Sequence, residues 1–201
     1  MASWVRNRDQ RGLSLAELLL AVSLAGLAGV VGVPALSHSA AHARSVAATR
    51  HLWTTIHATR VEAVRRGRPV ALRFEPGAAG MRFRRYLDGN GNGVRSADIA
   101  SGVDRPLGPA DALSDHFGDV DFRVAADVPG IDGGPVVPAG SNPIRLGPSS
   151  MASWSPAGSA TSGTLYLAGP RGNQFAVRIF GSTGRVRAFR YDSGAAEWRP
   201  L

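Results

Sequence analysis

Gly12-Leu13-Ser14-Leu15-Ala16-Glu17 leads into the stretch that decides the fold, an apolar run over residues 18–36. The run holds 19 residues without a charge and is rich in Leu, Ala, Val and Gly. Because a helix rises about 1.5 Å per residue, a helix of this length spans most of a hydrocarbon core about 30 Å thick. The upstream arginines are Arg6, Arg8 and Arg11. This positive flank predicts a cytoplasmic N-terminus, with the rest of the chain across the membrane.

Glu17 is unusual for a membrane span, because a central carboxylate costs about 3 kcal/mol on insertion scales. It lies five residues after Gly12. A carboxylate in lipid needs a cation beside it. Cleavage after Gly12 would release an α-amine that is mostly protonated at neutral pH. The sequence therefore predicts a cationic partner for Glu17.

This junction resembles the class III leader of type IV prepilins and type II secretion pseudopilins, in which a basic leader ends in Gly. The resemblance implies a leader over residues 1–12, cleavage between Gly12 and Leu13 by the prepilin peptidase, and methylation of the new N-terminus. It also implies that Glu17 mediates assembly by pairing with the N-terminus of a neighbouring subunit. Leu13 departs from the family, which usually has Phe there, although the position stays apolar.

Two other interpretations of the stretch stay open. A plain secretory signal also joins a basic start to an apolar core, and Ala41-His42-Ala43 offers a cleavage motif. A simple membrane anchor in which Glu17 is incidental is the second. The length of the apolar run and the position of Glu17 inside it argue against the secretory signal.

Composition limits the other functions of the chain. The 201 residues include no cysteine, which excludes disulfide and thiol chemistry. The net charge is +8 and every basic residue is an arginine, but residues 88–132 hold nine acids and three arginines, a pattern typical of solvated faces. The sequence has no Gly-x-Ser-x-Gly elbow and no phosphate loop, and His116 lies among acids with no serine motif to serve. We therefore predict that the protein is not an enzyme.

The pattern after the apolar run predicts that the helix continues as an amphipathic one. Apolar residues recur three or four apart, and arginines interleave with them; the apolar positions are Val46, Leu52, Trp53, Ile56, Ala63 and Val64. Gly67 and Pro69 end the helix. We expect a transmembrane half over residues 13–36, an amphipathic half over residues 37–66, and a β-rich domain over residues 67–201.

Strands are predicted where apolar and polar residues alternate. The clear segments are residues 70–74, 81–87, 164–168, 174–180 and 185–191, and the weaker ones are 120–124 and 144–146. Residues 129–163 are rich in Pro, Gly and Ser, which predicts a loop. A long helix followed by an antiparallel β domain is similar to the α+β plan of pilins.

Two soluble segments narrow the resemblance to minor pseudopilins of the GspH/FimT type. Residues 59–70 look like the family's exit from the helix into the first strand, and residues 175–187 look like its closing hairpin. The resemblance implies a minor pilin-like subunit of a type II secretion system or type IV pilus, assembled at or near the filament tip. FimT-like members imply an alternative, a DNA-binding minor pilin that acts in DNA uptake.

The same resemblance implies partners and a location. The partners would be other pilins or pseudopilins of the filament, the prepilin peptidase and, in the alternative, DNA. The chain would cross the bacterial inner membrane once, with residues 67–201 in the periplasm, before it enters the filament.

Residues 88–98 offer a candidate calcium loop, and no other cofactor is implied. Oxygen ligands at alternating positions and glycines for a sharp bend are what a calcium cage needs; the candidates are Asp88, Asn90, Asn92 and Asp98. The spacing departs from the EF-hand signature, which places an acid at position twelve. A polar turn built on Asn-Gly chemistry is the alternative.

The last predicted hairpin offers a candidate DNA-binding face. Alternation sends three arginines and three aromatics to one side of the sheet; they are Arg178, Arg185, Arg187, Phe180, Phe189 and Tyr191. Aromatics that stack on bases beside cations that contact phosphates are typical of single-strand binding surfaces. The alternative is that the preceding loop covers the aromatics.

Overall fold

A computed structural model of the chain describes residues 14–78 and 80–201, without the side chains of residues 25–36 and 38. The chain divides into two compact units, one ending at Ala40 and the other covering Ala41–Leu201. The predicted leader, residues 1–12, and the predicted cleavage residues Gly12 and Leu13 lie outside the described residues.

Helix α1 (Leu15–Arg66) has a defined stop signal in the sequence. Gly67 adopts φ 63°, a conformation that favours glycine. The N–H of Gly67 donates to the carbonyl of Val64 and the N–H of Arg68 donates to the carbonyl of Ala63. This pair of bonds is a Schellman motif, which satisfies the last carbonyls of the helix. The predicted end of the helix near residue 66 is thus where the structure places it.

The second half of α1 buries one face, on which residues recur three or four apart; they are Ala41, Ser45, Ala48, Thr49, Leu52, Ile56, Thr59 and Ala63. Six of these eight residues are Ala, Ser or Thr, including all four at the N-terminal end, so a pattern of large apolar residues does not detect most of this face. Trp53 and Val64, which the periodicity placed with Leu52 and Ile56, are 39% and 55% exposed. Both lie outside the core face because they are one residue out of its register.

Two antiparallel sheets follow the helix. The first contains β1 (Val70–Gly77), β2 (Gly80–Leu87), β3 (Arg105–Pro106), β4 (Asp111–Ala112) and β6 (Met151–Trp154), in the order β3-β2-β1-β6 with β4 also paired to β2. The second contains β5 (Ile144–Arg145), β7 (Gly163–Ala168), β8 (Gln174–Phe180), β9 (Arg185–Asp192) and β10 (Glu197–Pro200), in the order β10-β9-β8-β7-β5. Short helices α2 (Ser96–Ala100) and α3 (Leu113–Phe117) and a 3-10 turn (Pro170–Gly172) lie in the connections.

The main core joins α1 to both sheets. Ala48, Leu52 and Ile56 of the helix belong to one buried cluster with side chains of each sheet; the largest of these include Phe83 and Trp154 in the first sheet, and Leu165, Leu167, Phe175 and Ile179 in the second. The α+β class with antiparallel sheets is confirmed.

The strands differ from the predictions in several places, and the two-residue strands β3 and β4 were not predicted. Within the described chain, residues 120–124 form no strand and contribute one bridge, between Asp121 and Ala168. β6 lies inside the stretch that composition predicted to be loop, since its four residues pair with β1 although Pro, Gly and Ser surround them. β10 was not predicted because only Trp198 gives its four residues an apolar signal, and pairing with β9 supplies the rest.

Candidate functional site

The beginning of α1 presents apolar side chains that the chain leaves exposed. Each of them is more than half exposed; they are Leu15, Leu18, Leu19, Leu20, Val22 and Leu24. At 100° per residue these positions surround the helix rather than forming one stripe. A helix that is apolar all round requires an apolar environment on every side. This segment therefore has the character of a surface that lipid or neighbouring helices would cover.

Ser14 and Glu17 cap this helix reciprocally. The N–H of Ser14 donates to Oε2 of Glu17 over 2.9 Å, and the N–H of Glu17 donates to Oγ of Ser14 over 3.2 Å. This is a capping box, which satisfies two backbone donors that the first turn leaves without helical partners. The carboxylate thus lies at the positive end of the helix dipole. Glu17 has a structural role in its own chain in addition to the assembly role predicted for it.

Among the described residues, no helix combines the length and the hydropathy that a membrane crossing requires. The predicted span covers residues 13–36. The structure does not describe Leu13 or the side chains of residues 25–36, which together make up most of that span. The transmembrane half stays a prediction.

The predicted calcium loop folds as a turn organised by Asp88, which is fully buried. Its Oδ1 accepts hydrogen bonds from the N–H groups of Asn90 and Gly91, and its Oδ2 accepts one from Gly93. Burial alone would raise the pKa of Asp88, but these bonds from Gly91, Gly93 and Asn90 hold the pKa below its ordinary value. Both oxygens of the first proposed ligand are therefore already engaged by the turn.

The other candidate ligands lie at the rim of this turn. Nδ2 of Asn90 is 3.4 Å from Oδ2 of Asp98, and Oδ1 of Asn90 accepts the N–H of Asn92. Asp104 closes the turn from outside the predicted set, since it accepts the N–H groups of Gly89 and Arg95. The contacts match the alternative of a polar turn, and calcium binding stays a prediction.

The predicted DNA face has the register that alternation indicates. Phe180 pairs with Arg185, Arg178 with Arg187, and Ala176 with Phe189. These residues therefore project to the same side of the second sheet. Arg185 and Arg187 are exposed, and Arg178 is half-buried.

Other residues occupy much of this face. Arg178 pairs with Asp132 over 2.7 Å and lies 5.6 Å from the centre of the Phe180 ring. Phe189 is 9% exposed, so it offers little surface on which a base could stack. Tyr191 packs with Trp198 against a second core cluster; its buried members include Val124, Val128 and Val137 of the loop after α3. At this end of the face, the loop therefore packs against the aromatic side chains, as the alternative describes. DNA binding stays a prediction.

One group of titratable side chains was missed by sequence reasoning. His51 of α1 and His116 of α3 both contact the carboxylate of Asp111, at 2.9 and 2.8 Å. Burial alone would raise the pKa of Asp111, but the hydrogen bonds from the two histidines hold the pKa below its ordinary value. His51 and Asp111 are 60 residues apart, so only the tertiary fold brings them together.

Comparison with protein families matches most of the chain to a family model. The family model described as type II transport protein GspH matches residues 48–184, more than half of the chain. The matched range begins in the buried half of α1 and ends at the turn between β8 and β9. Comparisons with curated proteins and with solved structures give no significant match.

Proposed function

Because the chain belongs to the GspH family of type II transport proteins, a family of minor pseudopilins, we propose that it enters a secretion pseudopilus at or near the tip. Three steps make up the proposal. The prepilin peptidase cleaves between Gly12 and Leu13 and methylates the new N-terminus. Residues 13–36 hold the subunit in the inner membrane with residues 67–201 in the periplasm. Glu17 then pairs with a neighbouring subunit as the filament forms.

The observation that carries this proposal is the start of α1. Six large apolar side chains around it are more than half exposed, while the second half of the same helix buries a face in the core. A subunit built in this way gains stability when other helices or lipid cover its first turns. Glu17 lies in the first turn of this segment, and in this proposal its carboxylate pairs with the N-terminal amine of a neighbour.

Glu17 can cap its own helix through Ser14 and still pair with a neighbouring subunit. The capping box uses Oε2 of Glu17, and a carboxylate has several further acceptor sites on its two oxygens. One oxygen can therefore cap the helix while the other accepts from a cationic N-terminus.

DNA uptake, the alternative, gains no support from the ion pair of Arg178 or the burial of Phe189.

Processing at Gly12 is tested by the intact mass of the protein extracted from membranes that contain the prepilin peptidase. We expect the mass of a chain that begins at methylated Leu13. Gly12→Val is expected to remain at full length, because the resemblance implies that the peptidase recognises Gly at this position. An N-terminus at residue 44 or later would instead indicate a secretory signal, and a full-length wild-type chain would contradict the proposal.

A further inference from the structure

His51, Asp111 and His116 form a cluster outside the surfaces assigned to assembly. The ligand atoms, one imidazole nitrogen from each histidine and one carboxylate oxygen, all lie within 4.8 Å of one another. The three residues come from α1, β4 and α3, so the cluster joins α1 to the acidic segment that contains β4 and α3. We propose that it is a binding site for a divalent transition metal ion such as Zn²⁺.

The donor set suits such an ion. Imidazole nitrogen with one carboxylate is a recurrent ligand combination for zinc, and imidazole also suits copper, iron and nickel. Because a Zn–N bond is about 2.0–2.1 Å, two ligand atoms of a tetrahedral ion lie about 3.3–3.4 Å apart. The ligand atoms of the cluster, now within 4.8 Å of one another, therefore need to approach by up to about 1.5 Å. The side chain of His116 is 50% exposed, which gives it room to make this adjustment.

Metal binding changes the tautomer of each neutral ring and not its net charge, because the proton that leaves Nε2 for solvent is replaced by one taken up at Nδ1. Each Nε2 now lies within hydrogen-bond distance of an Asp111 oxygen, Oδ2 for His51 and Oδ1 for His116. A metal needs a lone pair on each Nε2, so each neutral ring must carry its proton on Nδ1. The carboxylate then supplies one oxygen to the ion and neutralises part of its charge.

The surroundings leave space for a fourth ligand. The cluster lines an open cavity of about 610 Å³, in which a water molecule can complete a tetrahedral set. Arg84 and Arg85 line the same cavity and oppose a cation, whereas Asp115 favours one. We therefore expect weaker binding than at a structural zinc site closed by four protein ligands.

Bound metal would tie the segment that contains β4 and α3 to α1. A ligand that binds the folded form alone raises its melting temperature. The purified full chain in detergent, melted with ZnCl2 at about 100 times the dissociation constant, is expected to gain about 5–10 °C. Isothermal titration of ZnCl2 is expected to give one ion per chain.

Variants assign the effect to the cluster. His116→Ala and Asp111→Asn are expected to lose the zinc-dependent shift, and His116→Ala removes a ring whose side chain is 50% exposed. His42→Ala and His57→Ala remove histidines of α1 that lie outside the cluster. Both variants are expected to keep the zinc-dependent shift in melting temperature. A wild-type chain without a zinc shift, a shift that survives in His116→Ala, or one lost equally in His57→Ala would overturn the proposal. None of these readouts depends on cleavage or assembly.

Discussion

Asp88 shows what a single buried carboxylate does in this chain. Its two oxygens accept hydrogen bonds from three backbone N–H groups of the turn. These hydrogen bonds hold the conformation of the turn. Gly89 completes the same turn, because a Cβ there would collide with the carbonyl oxygen of Val103. From the sequence, this loop is predicted to bind calcium, with a polar turn built on Asn-Gly chemistry as the alternative, and Asp88 is not identified as the acceptor that organises the turn. The sequence could not predict Asp104 as the second acceptor, since that contact spans 15 residues.

Asp88→Ala is expected to destabilise the fold by about 1–3 kcal/mol, because it leaves the donors of the turn without their acceptor. The folded pKa of Asp88 is lowered, so its stabilisation is present above the ordinary carboxyl pKa and is lost as pH falls through the lowered value. The difference in free energy of unfolding between wild type and variant should therefore shrink between pH 7 and pH 3.

Denaturant unfolding at both pH values measures this difference. Asp119→Ala removes an exposed acid from the same acidic region and is the matched control, expected to change stability by less than about 0.5 kcal/mol. Equal effects of the two substitutions would show that net charge, rather than the turn, accounts for the loss.

At the scale of elements, α1 and the last hairpin show where periodicity succeeds and where it stops. Alternation in β8 and β9 places Arg178 and Arg187 on the same face, because a strand's side chains have a period of two, and the two residues pair across the strands. It gives no information about which segment packs over that face, and Asp132 reaches Arg178 from 46 residues away in sequence. In α1, apolar spacing finds Leu52 and Ile56 but also includes Val64, which is exposed.

Leu52→Ala and Val64→Ala test this division of the helix faces. Leu52 is fully buried against both sheets, so its truncation is expected to cost about 2–5 kcal/mol of the free energy of unfolding. Val64 is 55% exposed, and its truncation is expected to cost less than about 1 kcal/mol. Thermal or denaturant melts of the full chain provide both values, and comparable losses would contradict the assignment of the core face.

At the scale of the whole molecule, the chain has a core in residues 41–201 and an apolar helix start with no such core. The sequence predicts this contrast, because residues 18–36 carry no charge whereas arginines interleave with the apolar residues after them. The His51–Asp111–His116 cluster could be predicted only in part, because Asp111 and His116 are neighbours in sequence whereas His51 comes from α1, 60 residues before Asp111.

Glu17 allows the assembly role to be separated from the capping role. Glu17→Gln keeps the capping box, which accepts Gln at this position, and removes the charge. Glu17→Ala removes both, and Glu17→Asp keeps the charge. If Glu17 pairs with a neighbour's cationic N-terminus, assembly should follow the charge and not the cap.

Crosslinking of the membrane-bound chain to the other pseudopilins of its filament measures this dependence most directly. Wild type is expected to crosslink efficiently, while Glu17→Gln and Glu17→Ala are expected to be equally impaired, with all three chains present in the membrane at matched levels. Crosslinking of Glu17→Gln at the wild-type level would contradict the account and leave Glu17 as a helix cap.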